Sequence, residues 1–225
     1  MPTPSTLSFY DAVASAYAEA FHKELEHKPF DRWMLLRFAD ENMGMGRIGD
    51  LGCGPGHTTK FLFDAGLDEI LGLDLSPKMV EEAQGLNPGI KFVVGDMLRI
   101  AFRKNSFRGL VAFYSIVHFN GQELKTFFLE AARVLQVGGQ LLISFHVGTE
   151  VNTLDEFLGV KATVQFRFHE VDSVIDLLKE TGFALVDAIT RYPYEGHEYP
   201  SQRAYLLAEK LDPGDPFEKL YAGLV

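Results

Sequence analysis

The chain has 225 residues with 31 acidic and 21 basic side chains, a net charge of −10, which argues against a phosphate backbone or an anionic membrane surface as the main partner. Hydrophobic residues make up 47% and charged residues 23%, a globular balance in a length that suits one domain with one sizeable core. Cys53 is the only cysteine, which excludes an internal disulfide and a cysteine metal cluster; with no leader-like start and no window near the roughly 20 apolar residues of a membrane span, a cytoplasmic protein acting on small molecules is expected.

Ser8 followed by Asp11 predicts a capped helix start, with Tyr10, Val13, Ala14, Tyr17 and Phe21 recurring at helical spacing. A second helix starts after Pro29, carries Phe30, Trp33, Met34, Arg37 and Phe38 along one side, and ends near Gly44 and Gly46. The chain then runs from a short apolar strand, Arg47 to Leu51, into Gly52-Cys53-Gly54-Pro55-Gly56-His57. Glycines at 52, 54 and 56 clear one side of the turn, so a ligand can lie directly on the backbone. A dinucleotide loop would place its third glycine at position 57, where His57 stands. Asp50, just before the first glycine, is also awkward for pyrophosphate and suits a cationic ligand. An ordinary strand-to-helix turn is the alternative.

Beyond the loop, Thr58 to Gly66 reads as a crossover helix and Glu69 to Leu75 as the next strand. That strand ends in Asp74, eighteen positions past Gly56, the distance at which a strand-helix-strand unit brings a carboxylate to ribose hydroxyls. Ser76-Pro77 caps a helix through Gln84, and Ile90 to Val94 is a third strand closing on Gly95-Asp96-Met97. Gly109 to Tyr114 lacks alternation and reads as a strand buried on both faces, followed by Ser115 to Phe119. Gln122 to Gln136 is helical, and Val137-Gly138-Gly139 turns into a strand from Gln140 to His146. A half-exposed strand, Ala162 to Phe168, lies within a stretch expected to form a flap. Val171 to Thr181 is the last helix; Phe183 to Arg191 and Gln202 to Glu209 are the last strands, joined by the aromatic and acidic loop Tyr192 to Pro200. The tail after Lys210 is expected to be loosely held.

Asp50 to Gly56 resembles the first motif of the class I S-adenosylmethionine-dependent methyltransferases, and Gly95-Asp96-Met97 resembles their third. Arg133 to Leu135 with Gly138-Gly139 is also similar, and the Tyr10-Asp11 to Tyr17 pattern resembles the family's N-terminal lid. The resemblance runs in order from about Tyr10 to Phe145; Arg108 after Phe107 departs from the usual acid, and the Pro-Pro-aromatic tetrapeptide of nucleobase amino-methylating enzymes is absent. It implies an α/β fold: a doubly wound, Rossmann-like sheet of about seven strands, mostly parallel with an antiparallel last strand, and helices on both faces. One domain of 1–225 is expected, with lid helices over 1–46 and a flap insertion over 148–168.

The implied cofactor is S-adenosyl-L-methionine, held by Tyr17, Asp50, Gly52, Cys53, Gly54, Gly56, Asp74, Leu75, Asp96, Met97 and Tyr114. Asp96 would accept from the adenine amine while Met97 packs on the ring. His118 and His146 follow the fourth and fifth strands of the core, where either can serve as a base for an acceptor that must lose a proton. The alternative for each is a hydrogen-bonded structural histidine. Tyr10, Arg167, Tyr194, Glu195 and His197 are candidates for recognising the acceptor. No histidine pairing supports a metal site. The expected reaction is methyl transfer to a small-molecule oxygen, nitrogen or carbon; a non-catalytic cofactor-binding sensor or activating subunit is the alternative. A nicotinamide oxidoreductase is disfavoured by His57 and Asp50, and no clear acidic cluster supports aminopropyl transfer.

Overall fold

The computed structural model describes residues 4–212. The tail beyond residue 212 lies outside the described residues. Helix α1 (Pro4–Phe21) begins four residues ahead of Ser8, and α2 (Pro29–Asn42) follows a short 3-10 turn at Glu24–His27. Ser8 therefore sits inside a helix. Asp11 has a longer-range role instead: its Oδ1 accepts from Ser76 Oγ at 2.6 Å and from the backbone N–H of Lys78 at 3.3 Å.

Strands β1 (Ile48–Leu51), β2 (Ile70–Asp74), β3 (Lys91–Val94), β4 (Phe107–Phe113), β5 (Leu135–His146), β8 (Phe183–Arg191) and β9 (Arg203–Lys210) form one sheet in the order β3-β2-β1-β4-β5-β9-β8. The pairs β1–β2, β1–β4, β2–β3 and β4–β5 are parallel, and β9 runs antiparallel to both neighbours. Helices α3 (His57–Asp64), α4 (Pro77–Leu86), α5 (Gly121–Val134) and α6 (Val171–Glu180) make the crossovers. The expected fold class is present. Its central strands are apolar almost without alternation because both faces are covered.

One face packs Leu110, Leu141, Ile143 and Leu206 against Phe127, Phe128 and Ala131 of α5 and Val174 and Leu178 of α6. The other packs Ile48, Val111, Leu142 and Leu207 against Met34, Leu35, Phe38 and Ala39 of α2 and Leu62 of α3. Trp33, on α2, stands out to solvent.

Two local expectations change. Val137-Gly138-Gly139 is no separate turn: β5 starts at Leu135 opposite Phe107, slips register, and resumes with Gln140 opposite Gly109, bending where Gly138 takes φ +71°. The single strand expected at 162–168 is the second arm of an antiparallel hairpin, β6 (Val151–Phe157) with β7 (Val160–Arg167). The first arm is missed because its alternation is mostly polar and charged, and its stability comes from its partner. Phe9, Val13 and Ala14 of α1 pack with Val164 of β7 and Met79 of α4, so α1 lies between the hairpin and the sheet's helical layer.

Candidate active site

A cavity of about 360 Å³ opens beyond the carboxyl ends of β1, β2 and β4. In an open α/β sheet this is the place where neighbouring strands send their crossovers to opposite faces. The glycine loop forms its floor. Gly52 takes φ +71°, and a β-carbon there would lie 2.4 Å from Ser115 Cβ, so only glycine lets the loop approach the end of β4. Gly56, with φ +83°, caps α3 and faces the Phe92 ring, which a β-carbon would reach at 2.7 Å. Gly56 does not line the cavity, whereas Gly52, Cys53 and Gly54 do.

Three carboxylates enter from three strands. Asp50 is buried at the end of β1, accepts a 2.6 Å hydrogen bond from Thr59 Oγ1, and has its pKa pushed up to about 6 by burial. The Thr59 bond and the nearby His57 oppose that rise without cancelling it, and a cationic ligand would favour the charged form further. Asp74 is gripped by backbone N–H groups, Gly54 N to Oδ2 at 2.8 Å and Ser76 N to Oδ1 at 2.9 Å. Burial raises its pKa while those bonds oppose the rise. Each oxygen keeps a lone pair for a further donor such as a ribose hydroxyl. Asp96 Oδ1 accepts from Leu98 N at 2.8 Å, and Met97 lines the same cavity. Leu75, Tyr17 and Tyr114 complete the set expected around the cofactor. His57 Nδ1 and Ser115 Oγ are buried in this wall without hydrogen-bond partners among the described residues, polar positions that a polar ligand can satisfy.

At the opposite end Tyr10 and His118 meet. The Tyr10 hydroxyl lies 2.7 Å from His118 Nε2, and His118 Nδ1 lies 2.8 Å from the carbonyl oxygen of Gln165 on β7. A carbonyl only accepts, so Nδ1 carries the proton. Burial pushes the His118 pKa down to about 4 and keeps the ring neutral, so Nε2 accepts from Tyr10. Arg167 also lines this end and donates from Nη2 to Gln165 Oε1 at 3.0 Å.

The other candidates lie elsewhere. His146 ends β5 as expected but does not line the cavity: Nδ1 bonds Ser201 Oγ at 2.7 Å and the ring stacks on Phe168. Burial pushes its pKa down to about 4. Tyr194 accepts from Phe30 N and stacks under the Arg191 guanidinium, Glu195 is exposed, and His197 stacks on His27 with ring centroids 4.3 Å apart. The loop Tyr192 to Pro200 is drawn toward Arg191 by Glu198, which takes two bonds from that guanidinium and one from Tyr194 N, so it braces the fold beside the site.

With this geometry in view, relatives can be weighed. A model of the methyltransferase-domain family matches residues 48–139. That stretch, from β1 and its glycine loop to the bend in β5, is similar to a methyltransferase domain. Phosphoethanolamine N-methyltransferase 1 of Arabidopsis thaliana is 28% identical over 64% of this chain and 30% of its own length. Malonyl-[acyl-carrier protein] O-methyltransferase of Legionella pneumophila is 34% identical over 60% of this chain and 45% of its own. The chain thus spans less than half the length of these curated relatives. The chain also superposes on magnesium protoporphyrin IX methyltransferase of Synechocystis with a TM-score of 0.68 and 16% identity, covering 91% of this chain and 95% of that one. At that identity the match concerns the fold.

Several residues around the cavity escape sequence reasoning. Asp31, fully buried in the first turn of α2, accepts from Arg191 Nη2 at 2.7 Å, Tyr205 Oη at 2.6 Å and Tyr114 Oη at 3.1 Å. Glu24 pairs with Lys28 at 2.7 Å and His57 at 3.0 Å; burial opposes its charge, yet these partners hold its pKa down at about 2. Lys28 Nζ in turn lies 4.8 Å from the centre of the Tyr114 ring. Locally, Glu24 to Lys28 reads as a charged linker and Asp31 as a surface residue of a helix start. Their partners stand far away in sequence, so no local pattern marks them.

Proposed function

We propose that the protein transfers the methyl group of S-adenosylmethionine to a small-molecule acceptor, with Tyr10 and His118 facing the acceptor. The observation carrying this reading is one cavity lined both by the glycine loop with Asp50 and Asp74 and by the Tyr10–His118 pair. The cofactor's sulfonium supplies an electrophilic methyl, so the protein's task is positioning. Asp74 fits a ribose diol, Asp50 and the two unpartnered polar atoms fit the charged and polar amino-acid end, and Asp96 with Met97 fits the adenine.

Where the acceptor must lose a proton, the Tyr10 hydroxyl takes it while passing its own to His118 Nε2; the Gln165 carbonyl keeps hold of the Nδ1 proton throughout. His146 supports the Ser201 side of the fold and takes no part. Helix α1 and the β6–β7 hairpin form the lid, tied down by Asp11 on Ser76 and Lys78 and by the Tyr10–His118–Gln165 chain. The relatives' names span N-, O- and C-methyltransferases, in keeping with an oxygen, nitrogen or carbon acceptor. The sensor reading expects a filled acceptor pocket, and the open end at Thr163, Gln165 and Arg167 weighs against it. No helix among the described residues is long and apolar enough to cross a membrane, which accords with a small-molecule enzyme of the cytoplasm.

Thermal unfolding with saturating S-adenosylmethionine, S-adenosylhomocysteine or a reduced nicotinamide dinucleotide tests the reading. A ligand at 100 times its dissociation constant adds about 2.7 kcal/mol, a midpoint rise of roughly 5–11 °C for this size. A rise with the two sulfur nucleosides alone supports methyl transfer. A rise only with the dinucleotide sinks it.

A further inference from the structure

The cavity wall is strongly acidic. Its six carboxylates are Glu24, Asp31, Asp50, Asp74, Asp96 and Glu123, and each already has a hydrogen-bond donor within the protein. Among the described lining residues the sole lysine or arginine is Arg167, beside Gln165. Its guanidinium bonds the neutral amide of Gln165 and, among the described residues, enters no ion pair with a carboxylate.

We infer that Arg167 binds an anionic group of the methyl acceptor, so that the acceptor class is a small molecule bearing a carboxylate, sulfonate or phosphate a few bonds from its nucleophile. This rests on the methyl-transfer reading above and deepens it. The planar guanidinium presents paired N–H donors that match such an anion, and one bond to an amide leaves the others available. Position supports the assignment. Arg167 stands two residues beyond Gln165 on β7, the residue whose carbonyl fixes His118. That is one pleat repeat, about 7 Å. An anion held by Arg167 therefore leaves the rest of a small acceptor within reach of Tyr10 and His118.

The remaining charges sharpen the selection. Both partners of the Tyr10–His118 pair are neutral, so they offer no competing cation at this end. The chain's net charge of −10 does not favour anions at long range, but charges beyond a Debye length of about 8 Å are largely screened at physiological salt. Contact with the half-buried Arg167 guanidinium then decides.

The test uses protein saturated with S-adenosylhomocysteine. Inorganic phosphate and 4-hydroxybenzoate are titrated calorimetrically, with 4-hydroxybenzamide as the neutral counterpart of the benzoate and sodium chloride at matched ionic strength as the salt control. The expected result is binding of at least one of the two anions and none of the amide or chloride; which anion binds distinguishes a phosphate from a carboxylate headgroup. Arg167→Gln should weaken that binding about ten- to hundredfold, Arg167→Lys should recover part of it, and the heat of S-adenosylhomocysteine binding should persist in both. Equal binding of acid and amide, anion binding indifferent to Arg167→Gln, or no anion binding at all would overturn the proposal while leaving methyl transfer standing. Failure of S-adenosylhomocysteine to bind the wild-type protein would bring down the functional reading and this proposal together.

Discussion

The Tyr10 hydroxyl and His118 Nε2, 2.7 Å apart, join the first helix to the turn after β4 across the mouth of the cavity. Because His118 Nδ1 is committed to the Gln165 carbonyl, the pair acts in one direction, tyrosine to histidine. Tyr10→Phe should lower kcat by about 10²-fold or more on an acceptor that loses a proton. His118→Asn should do the same, and the double variant should be little worse than either, as expected of residues acting as a unit. Steady-state kinetics, with the S-adenosylhomocysteine midpoint shift as a control for cofactor binding, decides. Wild-type kcat in Tyr10→Phe would remove the pair from the mechanism.

Stability should depend on pH through the buried histidines. His118 and His146 have folded-state pKa values of about 4 because burial disfavours their charge, against about 6.5 in an unfolded chain. Between those values the unfolded state binds more protons, so stability is complete above about pH 6.5 and declines as the pH falls toward 4. For His118 the contribution is on the order of 3 kcal/mol. Urea unfolding at pH 7 and pH 5 should show the loss, and His118→Asn should reduce it. An identical pH dependence in that variant would contradict the assignment.

Asp74→Ala should weaken S-adenosylhomocysteine binding by about 1–3 kcal/mol, since a buried acceptor is lost and Gly54 N and Ser76 N lose theirs. Asp74→Asn keeps the shape and should fall between. Calorimetric titration reads both. An undiminished affinity in Asp74→Ala would remove Asp74 from the cofactor site.

Behind Tyr114, Asp31 is the most exposed to loss. Removing it takes the carboxylate acceptor from the Tyr205 hydroxyl, which keeps Tyr114 Oη at 2.9 Å, and leaves Arg191, itself only 12% exposed, with Glu198 as its one carboxylate partner among the described residues. Breaking a buried pair typically costs about 3–5 kcal/mol. Because Glu198 still answers the guanidinium, Asp31→Ala should cost about 3 kcal/mol, read as a lower urea midpoint with unchanged slope. A change under about 0.5 kcal/mol, the size of a neutral surface substitution, would mean the network holds without it.

The family resemblance implied the mostly parallel sheet with its antiparallel last strand, and the elements of the main sheet in their order and the glycine loop with Asp50 and Asp74 were legible in the sequence. They are short-range matters: apolar runs set the strands, the left-handed Gly52 sets the turn, and the length of one crossover helix brings Asp74 beside the loop. Tertiary structure decided everything that joins distant segments. Nothing in the charges of β6 pairs it with β7 until Val164 buries itself beneath α1. His118 and His146 look alike as strand-end histidines, yet one meets Tyr10 and the other Ser201 because α1 reaches the turn after β4 while the loop between β8 and β9 reaches the end of β5. Asp31 reads as a helix-start surface residue until β8 brings Arg191, 160 residues on, against it. Periodicity records which face of an element is buried; it carries no record of what buries it, and at this site the partner gives each side chain its role.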